Sequence, residues 1–216
     1  MTEIVTELST DVIALHEVSP EQAEQITEMM TARYPYRVLS PDDADRALLL
    51  LSRYPIKEHD FFRPLPQSDS DLRAVIDVDG IPVTLYVAHL QSPRGGISPF
   101  SYDTSIRNAE MADLRDRIQA ETGPMLLLCD CNMSDLSDPY RALDELLDDA
   151  FREAGQGPGF TFRYRKFLPF MVRIDYIWYS DHFAALDARA WDDAGPSDHR
   201  PVIATFSLKQ ERPPSE

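Results

Sequence analysis

Short apolar runs separated by polar turns fill most of the chain, and their lengths predict strands rather than long helices. Buried strands of globular proteins are about four to eight residues long and are bounded by turn-forming residues. Asp79-Gly80 separates two such runs and predicts a tight hairpin turn. The predicted strands are Asp11–Val18, Tyr36–Leu39, Ala47–Ser52, Leu72–Val78, Val83–His89, Met125–Cys129, Arg173–Ser180 and Val202–Leu208.

Helical patterns interrupt this succession of strands. Ser19-Pro20-Glu21 supplies a cap, a first-turn proline and an acidic residue, and predicts a helix that runs through Met30 to Arg33. Apolar residues recur at helical spacing between Asp103 and Glu121, and Asp138-Pro139 predicts a further helix that reaches Ala150. Strands on both sides of each helix, with hairpins among them, favour a mixed α/β sandwich over an alternating parallel sheet.

The composition is that of an ordinary globular protein. Of 216 residues, 43% are hydrophobic and 27% are charged, which excludes disordered and low-complexity classes. One domain is predicted over residues 1–208, followed by a disordered tail over residues 209–216. No run reaches the roughly 18 apolar residues of a membrane span, and Met1–Thr10 lacks the features of a signal peptide. We therefore expect a soluble chain, and a monomer.

The charge balance changes the set of plausible partners. Lys and Arg number 21 and Asp and Glu number 37, so the net charge is −16. Nucleic acids and anionic membranes are bound mainly through Lys and Arg, and the average field of this chain repels them. A small phosphoester, or an anion bridged by a metal, is compatible with the charge.

Polar, chemically active side chains stand where several predicted strands begin or end. An acid can accept a proton from water, and an amide can donate to a phosphoryl oxygen. Concentrated carboxylates repel one another, and a divalent cation relieves the repulsion; an oxygen-rich set suits Mg²⁺ or Mn²⁺. The residues concerned are Glu17, His89, Asp130, Asn132, Asp175, Asp198 and His199.

Each of these motifs has a simpler interpretation when it is taken alone. Asp130 and Asn132 suit the start of a turn, Ser197-Asp198-His199-Arg200-Pro201 suits a surface turn, and Asp175 could pair with Arg173. Several such residues would then have to cluster by accident.

The two cysteines, Cys129 and Cys131, lie on either side of Asp130. They make zinc a competing metal, but neither CxxC nor HExxH spacing occurs in the chain. They are also too close in sequence for a relaxed bridge on an extended strand. We expect them to be buried as apolar packing residues.

In order and spacing, these segments resemble the endonuclease/exonuclease/phosphatase superfamily, the deoxyribonuclease I-like proteins. The resemblance spans almost the whole chain, and SDHRP is its most specific motif. Three residues next to candidate site residues depart from the family pattern. His16 stands where the family usually has Gln, Cys129 where it has Gly, and Cys131 where it has Phe. The other matching segments are DVIALHEV, LLLLSRYPI, VAHL, LLLCDCN and RIDYIWYS.

The resemblance implies a four-layer sandwich of two mixed β-sheets flanked by helices and a metal-dependent hydrolysis of phosphoesters. Glu17 and Asp198 would ligate Mg²⁺, with Mn²⁺ as the alternative. Asp130 would orient or deprotonate the attacking water, and Asn132 would hold a phosphoryl oxygen. His199 would contact the phosphate, with Asp175 fixing its ring. His89 would provide a second phosphate contact or assist the leaving oxygen.

Family members normally open with a strand that carries an Asn of the metal site, and this chain begins at a later point of the pattern. Glu3–Ser9 does not have the pattern of that strand. We therefore expect the fold to lack its usual first strand, either because the chain is part of a longer protein or because the domain is impaired. The sequence looks most like bacterial relatives that carry membrane spans ahead of this domain, so a longer parent could be tethered to a membrane.

Two functions from different classes stay open. One is a divalent-metal phosphodiesterase, phosphatase or nuclease, for which a small phosphoester or a lipid head group is slightly preferred over nucleic acid. The other is a non-catalytic or impaired binding protein that retains the fold.

Overall fold

A computed structural model describes residues 9–41, 46–95, 102–165 and 167–209 of the chain. These residues form thirteen strands and four helices: β1 (Val12–Val18), α1 (Pro20–Met30), β2 (Tyr36–Leu39), β3 (Ala47–Ser52), β4 (Ile56–Phe62), β5 (Asp71–Val78), β6 (Ile81–His89), β7 (Arg94–Gly95), β8 (Tyr102–Asp103), α2 (Ser105–Ala120), β9 (Met125–Asp130), α3 (Asp138–Asp144), β10 (Asp148–Asp149), α4 (Ala150–Ala154), β11 (Asp175–Tyr179), β12 (Phe183–Ala190) and β13 (Val202–Leu208).

A six-stranded mixed sheet is the largest element of the fold. Its order is β10-β11-β9-β6-β5-β4, and β6 and β9 run parallel while its other neighbours pair antiparallel. The hairpin between β5 and β6 turns at Asp79 and Gly80, which both have positive φ (53° and 89°). Two consecutive positive φ values belong to the turn that matches the twist of a hairpin, as Asp-Gly predicts.

Apart from β7 and β8, which pair with each other, the strands outside this sheet form a second layer that packs on one of its faces. The described residues give it as two antiparallel sheets, β1-β3-β2 and β12-β13, so β1 and β13 each have one hydrogen-bonded neighbour. Both sheets share a hydrophobic core with β5 and β6. That core includes Ala14, Leu48, Leu50, Leu85, Val87, Phe183 and Phe206.

Helices cover the outer face of each layer. α1 lies against the three-stranded sheet through Ala23, Ile26 and Met30. α2 and α3 cover the other face of the six-stranded sheet, where Met111 and Tyr140 join Trp178 in a separate core. The order helix, sheet, sheet, helix confirms the four-layer sandwich predicted for the chain.

Several boundaries differ from the sequence predictions. β4 was not predicted, because its residues 57–60 are polar and exposed; charge on an edge strand discourages pairing with other molecules. β12 was not predicted either, since alanines and charged residues fill most of it. The helix predicted from Asp138 to Ala150 is wrong in length: α3 ends at Asp144, and the two-residue strand β10 precedes α4.

The cysteines also depart from expectation. Cys129 and Cys131 are buried in the core beneath α2, as predicted, but their sulfur atoms are bonded to each other, with Cα atoms 5.1 Å apart. The bond can form because Cys131 lies just past the end of β9, where the extended backbone stops.

Of Glu3–Ser9, the segment compared with the missing first strand, residues 3–8 lie outside the described part, as do residues 210–216 of the tail predicted over 209–216. Within the described residues, no helix is long and apolar enough to cross a membrane.

Candidate active site

Three of the predicted site residues lie in one row across adjacent strands of the six-stranded sheet. In the parallel pair β6–β9, His89 is opposite Asp130, and in the antiparallel pair β9–β11, Asp130 is opposite Asp175. Side chains alternate between the two faces of a strand, and these three share the face that turns toward the second layer. Sheet register alone therefore brings an imidazole and two carboxylates together.

A bulge in β1 brings two further side chains to this row. The pairing of β1 with β3 shifts between Leu15 and Val18, and Glu17 has a φ of 54°. An extra residue in one strand redirects the side chains around it, so two successive residues can face the same way. The ring of His16 lies 5.7 Å from that of His89, and Oε1 of Glu17 is 3.9 Å from Nε2 of His89.

His199 approaches the row from the opposite side, on the segment that leads into β13. Its Nδ1 is 3.0 Å from both carboxylate oxygens of Asp175 and 3.9 Å from Oδ2 of Asp130. The ring of Phe162 packs against it at 4.9 Å, and the two residues form a backbone bridge. Since Nδ1 is bound to Asp175, Nε2 is the ring nitrogen left to contact a substrate.

Opposing effects set the protonation of His199. Burial by itself lowers the pKa of the ring, but the hydrogen bond to Asp175 and the charges of Asp175, Asp130 and Asp198 outweigh it and raise the pKa to about 9. The ring is therefore a cation at neutral pH. This differs from His16, whose pKa falls to about 3 because it is buried beside His89 and His199.

Asp130 is the most central acid of the site. Burial raises its pKa well above the usual range, and the neighbouring charge of Asp175 adds to the effect. The side chain of Asp130 accepts a hydrogen bond from the backbone N–H of Asn132 (3.2 Å) and lies 3.7 Å from Nε2 of His89. A carboxylate with a raised pKa is a stronger base, which suits a role in proton transfer.

Asn132 follows β9 in a left-handed conformation, with a φ of 47°. Its side-chain amide donates to the carbonyl of Leu90 (2.8 Å), and its side-chain oxygen lies 3.1 Å from Oγ of Ser92. An amide NH₂ carries two hydrogens, so one remains for a ligand. Asn is one of the few residues that tolerates this backbone conformation.

Asp198 joins the site through its charge. It precedes His199, its negative charge contributes to the raised pKa of that ring, and its carbonyl accepts from the backbone N–H of Arg163 (3.1 Å). Glu17 and Asp198 are the two predicted metal ligands. The structure records no direct contact between them among the described residues.

Asp175 does not pair with Arg173, which was the alternative interpretation of the sequence. The Arg173 guanidinium binds Asp149 and Asp135 and leaves Asp175 to His199. Arg173, Asp149 and the hydroxyl of Tyr140 form a buried polar cluster behind the row. Sequence reasoning did not identify this cluster, since Asp149 lies inside the segment predicted to be a helix.

A second missed residue is Thr161. Its hydroxyl is buried and accepts from the backbone N–H groups of Ile174 (3.1 Å) and Asp175 (3.3 Å), and so holds the start of β11. Nothing in the surrounding sequence distinguishes this threonine from those on the surface.

The donor set fits a divalent cation. Ligand atoms of Asp130, Asp175 and His199 lie within 4.8 Å of one another, and this cluster includes neither Glu17 nor Asp198, the two predicted metal ligands. Among the described residues, no Lys or Arg forms an ion pair with Glu17, Asp130 or Asp175, so only imidazoles offset these carboxylates. An acidic, oxygen-rich site without a permanent cation is typical of Mg²⁺ or Mn²⁺.

The comparisons with known proteins agree with this architecture. Residues 1–199 match the model of the Endonuclease/Exonuclease/phosphatase family, so the chain belongs to that family. Members of this superfamily are hydrolases that act on phosphoesters. No curated protein sequence matches the chain.

Solved structures with similar folds come from several organisms. A conserved protein of unknown function from Enterococcus faecalis aligns with a TM-score of 0.80 at 18% identity, covering 96% of this chain and 89% of that one. For the mannosyl-6-phosphatase of Bacteroides thetaiotaomicron the TM-score is 0.75 at 16% identity, covering 96% and 89%. For the human Nocturnin catalytic domain, solved with a bound sulfate anion, it is 0.74 at 20% identity, covering 96% and 84%. At these identities the similarity shows the fold alone.

Proposed function

We propose that this protein is a divalent-metal-dependent phosphoester hydrolase. The observation that carries the proposal is the row of His89, Asp130 and Asp175, completed by His199. A general base, a cationic imidazole and an acid that orients it are the groups that in-line attack of water on phosphorus requires. They lie within hydrogen-bonding or near-contact distance of one another.

Each residue has a distinct proposed role. Asp130 orients the attacking water and accepts its proton, while Nε2 of His199 donates to a phosphoryl oxygen and stabilises the charge that develops there. Asp175 keeps the His199 ring oriented and protonated. Asn132 holds a phosphoryl oxygen with its remaining amide hydrogen, and His89 makes a second phosphate contact or assists the leaving oxygen.

Glu17 and Asp198 are the proposed ligands of the metal. A bound Mg²⁺ or Mn²⁺ would neutralise charge on the phosphoryl group. The side chain of Glu17 is 68% exposed and is therefore accessible to a solvated ion.

A small phosphoester is the preferred substrate, ahead of nucleic acid. The net charge of −16 opposes a long polyanion. One structural neighbour is named a mannosyl-6-phosphatase, and another was solved with a bound sulfate, a tetrahedral anion shaped like phosphate. A lipid head group carries the same phosphoester chemistry.

The proposal is tested by hydrolysis of bis(4-nitrophenyl) phosphate and 4-nitrophenyl phosphate with Mg²⁺, with Mn²⁺ and with a chelator. We expect hydrolysis that the chelator abolishes and added metal restores. Calorimetry should detect Mg²⁺ binding by the wild type and weaker binding by Glu17→Ala. Asp60→Ala, at an exposed position of β4, is the matched control and should bind as the wild type does.

Two results would overturn the proposal. Hydrolysis that persists in chelator at an undiminished rate would exclude the metal. A protein that neither binds metal nor hydrolyses any phosphoester would instead be the non-catalytic binding protein considered above.

A further inference from the structure

Arg107 is a buried guanidinium close to the site but outside the set of residues given a role. It lies in the first turn of α2, on the side that faces the six-stranded sheet, and is 8% exposed. Burying a charge is unfavourable unless a partner compensates it. Among the described residues, no carboxylate forms an ion pair with Arg107, and burial lowers its pKa.

The compensation comes from hydrogen bonds at the end of β9. Nη1 of Arg107 donates to the backbone carbonyl of Asn132 at 2.6 Å, and Nη2 donates to the side-chain oxygen of Asn108 at 3.2 Å. Its Nε is buried and has no hydrogen-bond partner in the described part of the chain. The shorter of these two hydrogen bonds is therefore made to Asn132, the residue with a positive φ that follows β9.

This contact continues to the proposed general base. Asn132 receives the Arg107 hydrogen bond at its carbonyl and donates its own N–H to Oδ1 of Asp130. A left-handed backbone is unfavourable for a residue with a side chain, and it persists where surrounding contacts fix it. The hydrogen bond from Arg107 is such a contact, and it connects α2 to Asp130 through Asn132.

We propose that Arg107 is a positioning residue that holds the Asp130–Asn132 turn in the arrangement needed for hydrolysis. This inference rests on the proposed function. A direct contact with substrate is the competing role, but Arg107 is only 8% exposed, its Nε is buried, and both of its Nη groups donate to protein oxygens.

Steady-state kinetics of Arg107→Met and Arg107→Lys test this role. A small misplacement of reacting groups can cost about 10²-fold in rate, so we expect Arg107→Met to lower kcat by about 10- to 100-fold while KM stays within about threefold. Lysine can still donate to the Asn132 carbonyl and should restore part of kcat. Arg117→Met, on the same helix and paired with Asp113, should match the wild type.

Other kinetic outcomes would overturn the inference. A raised KM at unchanged kcat would make Arg107 a substrate contact. Wild-type kinetics in Arg107→Met, or no recovery in Arg107→Lys, would show that the hydrogen bond to Asn132 does not position the turn.

Hydrogen–deuterium exchange separates this inference from the proposed function. We expect faster exchange over residues 129–133 in Arg107→Met, but not in Arg117→Met, at equal melting temperature. Unchanged exchange would overturn the positioning role whatever the activity. If exchange rises as expected while the wild type hydrolyses no phosphoester with any metal, the proposed function fails and the structural role of Arg107 stands. Should Arg107→Met not fold, Arg107→Lys carries the comparison with a smaller expected rise in exchange, because lysine can still donate to the Asn132 carbonyl.

Discussion

The candidate site has two halves that are built in different ways. His89, Asp130 and Asp175 stand on three neighbouring strands, and the regular register of the sheet aligns them. Glu17 and His199 reach the same place on irregular backbone: a bulge in β1 and the segment before β13. The first group can be called the sheet half of the site and the second the loop half.

The rigid sheet fixes the positions of the first group of side chains, whereas local backbone conformation sets the positions of the second group. In the sheet half Asp130 is buried and His89 and Asp175 are partly buried, and the side-chain directions follow from strand alternation. The loop half depends on a positive φ at Glu17 and on the packing of Phe162 against His199. We therefore expect substitutions in the sheet half to abolish a catalytic step. Substitutions of residues that connect the two halves should instead misorient the catalytic groups.

The largest effect is expected at Asp130, the centre of the sheet half. Asp130→Asn keeps the size and the acceptor for the Asn132 N–H but removes the base, so kcat should fall by about 10²- to 10⁴-fold. The measurement is metal-dependent hydrolysis of bis(4-nitrophenyl) phosphate. Asp135→Asn, at a residue that binds Arg173 behind the row, controls for the loss of a nearby charge. Undiminished activity in Asp130→Asn would show that Asp130 is not the general base.

A smaller effect is expected where the two halves meet. Asp175→Asn leaves His199 in place but removes the charge that orients its ring, and loss of such a supporting partner costs about 10- to 100-fold in activity. The hydrolysis rate of Asp175→Asn should therefore lie between those of the wild type and Asp130→Asn. A double variant with His199→Gln tests the link.

If Asp175 acts through His199, the double variant should lose little more activity than His199→Gln does alone. Fully additive losses would show that the sheet half and the loop half act independently, and that Asp175 does not act through His199.

Sequence reasoning predicted the sheet half better than the loop half for a physical reason. Apolar runs gave β6, β9 and β11 nearly correct bounds, and strand alternation placed Asp130 opposite in direction to Cys129. The bulge at Glu17 leaves no comparable pattern, because a positive φ at a glutamate has no compositional signal. Glu17 was predicted to join the site from its place at the end of a predicted strand, and its role as a metal ligand came from the family resemblance.

The buried polar residues were missed for a related reason. In α2 the buried stripe begins with Arg107 and Glu110 and becomes apolar only at Met111, whereas the sequence pattern was judged from apolar positions alone. Charged residues are usually exposed, so their burial follows from tertiary contacts that no local pattern contains. The Arg173–Asp149 pair escaped prediction in the same way.

The smallest expected effect concerns a buried acid that supports the sheet half without taking part in the chemistry. Asp71 is 2% exposed, and its Oδ1 accepts the backbone N–H of His89 at 3.0 Å. Burial raises its pKa well above the usual range; the charges of Glu110, Asp69 and Asp113 add to this, and the His89 hydrogen bond opposes it.

A raised pKa in the folded state fixes the sign of the pH dependence. Below the unfolded pKa of about 3.9 the acid is protonated in both states and costs nothing. As pH rises toward the folded pKa, the native state binds more protons than the unfolded chain, and the stability from this group is lost. Asp71→Asn is neutral throughout and can still accept from His89, so this loss disappears.

The free energy of unfolding of Asp71→Asn, relative to the wild type, should therefore rise by about 1–2 kcal/mol between pH 4 and pH 7, the size of a typical buried polar substitution. Urea unfolding at several pH values measures it. Asp60→Asn, exposed on the neighbouring strand β4, should show no such trend. A relative stability that falls with pH would mean that the Asp71 carboxylate is stabilised as an anion, and that charge rather than hydrogen bonding holds the sheet half.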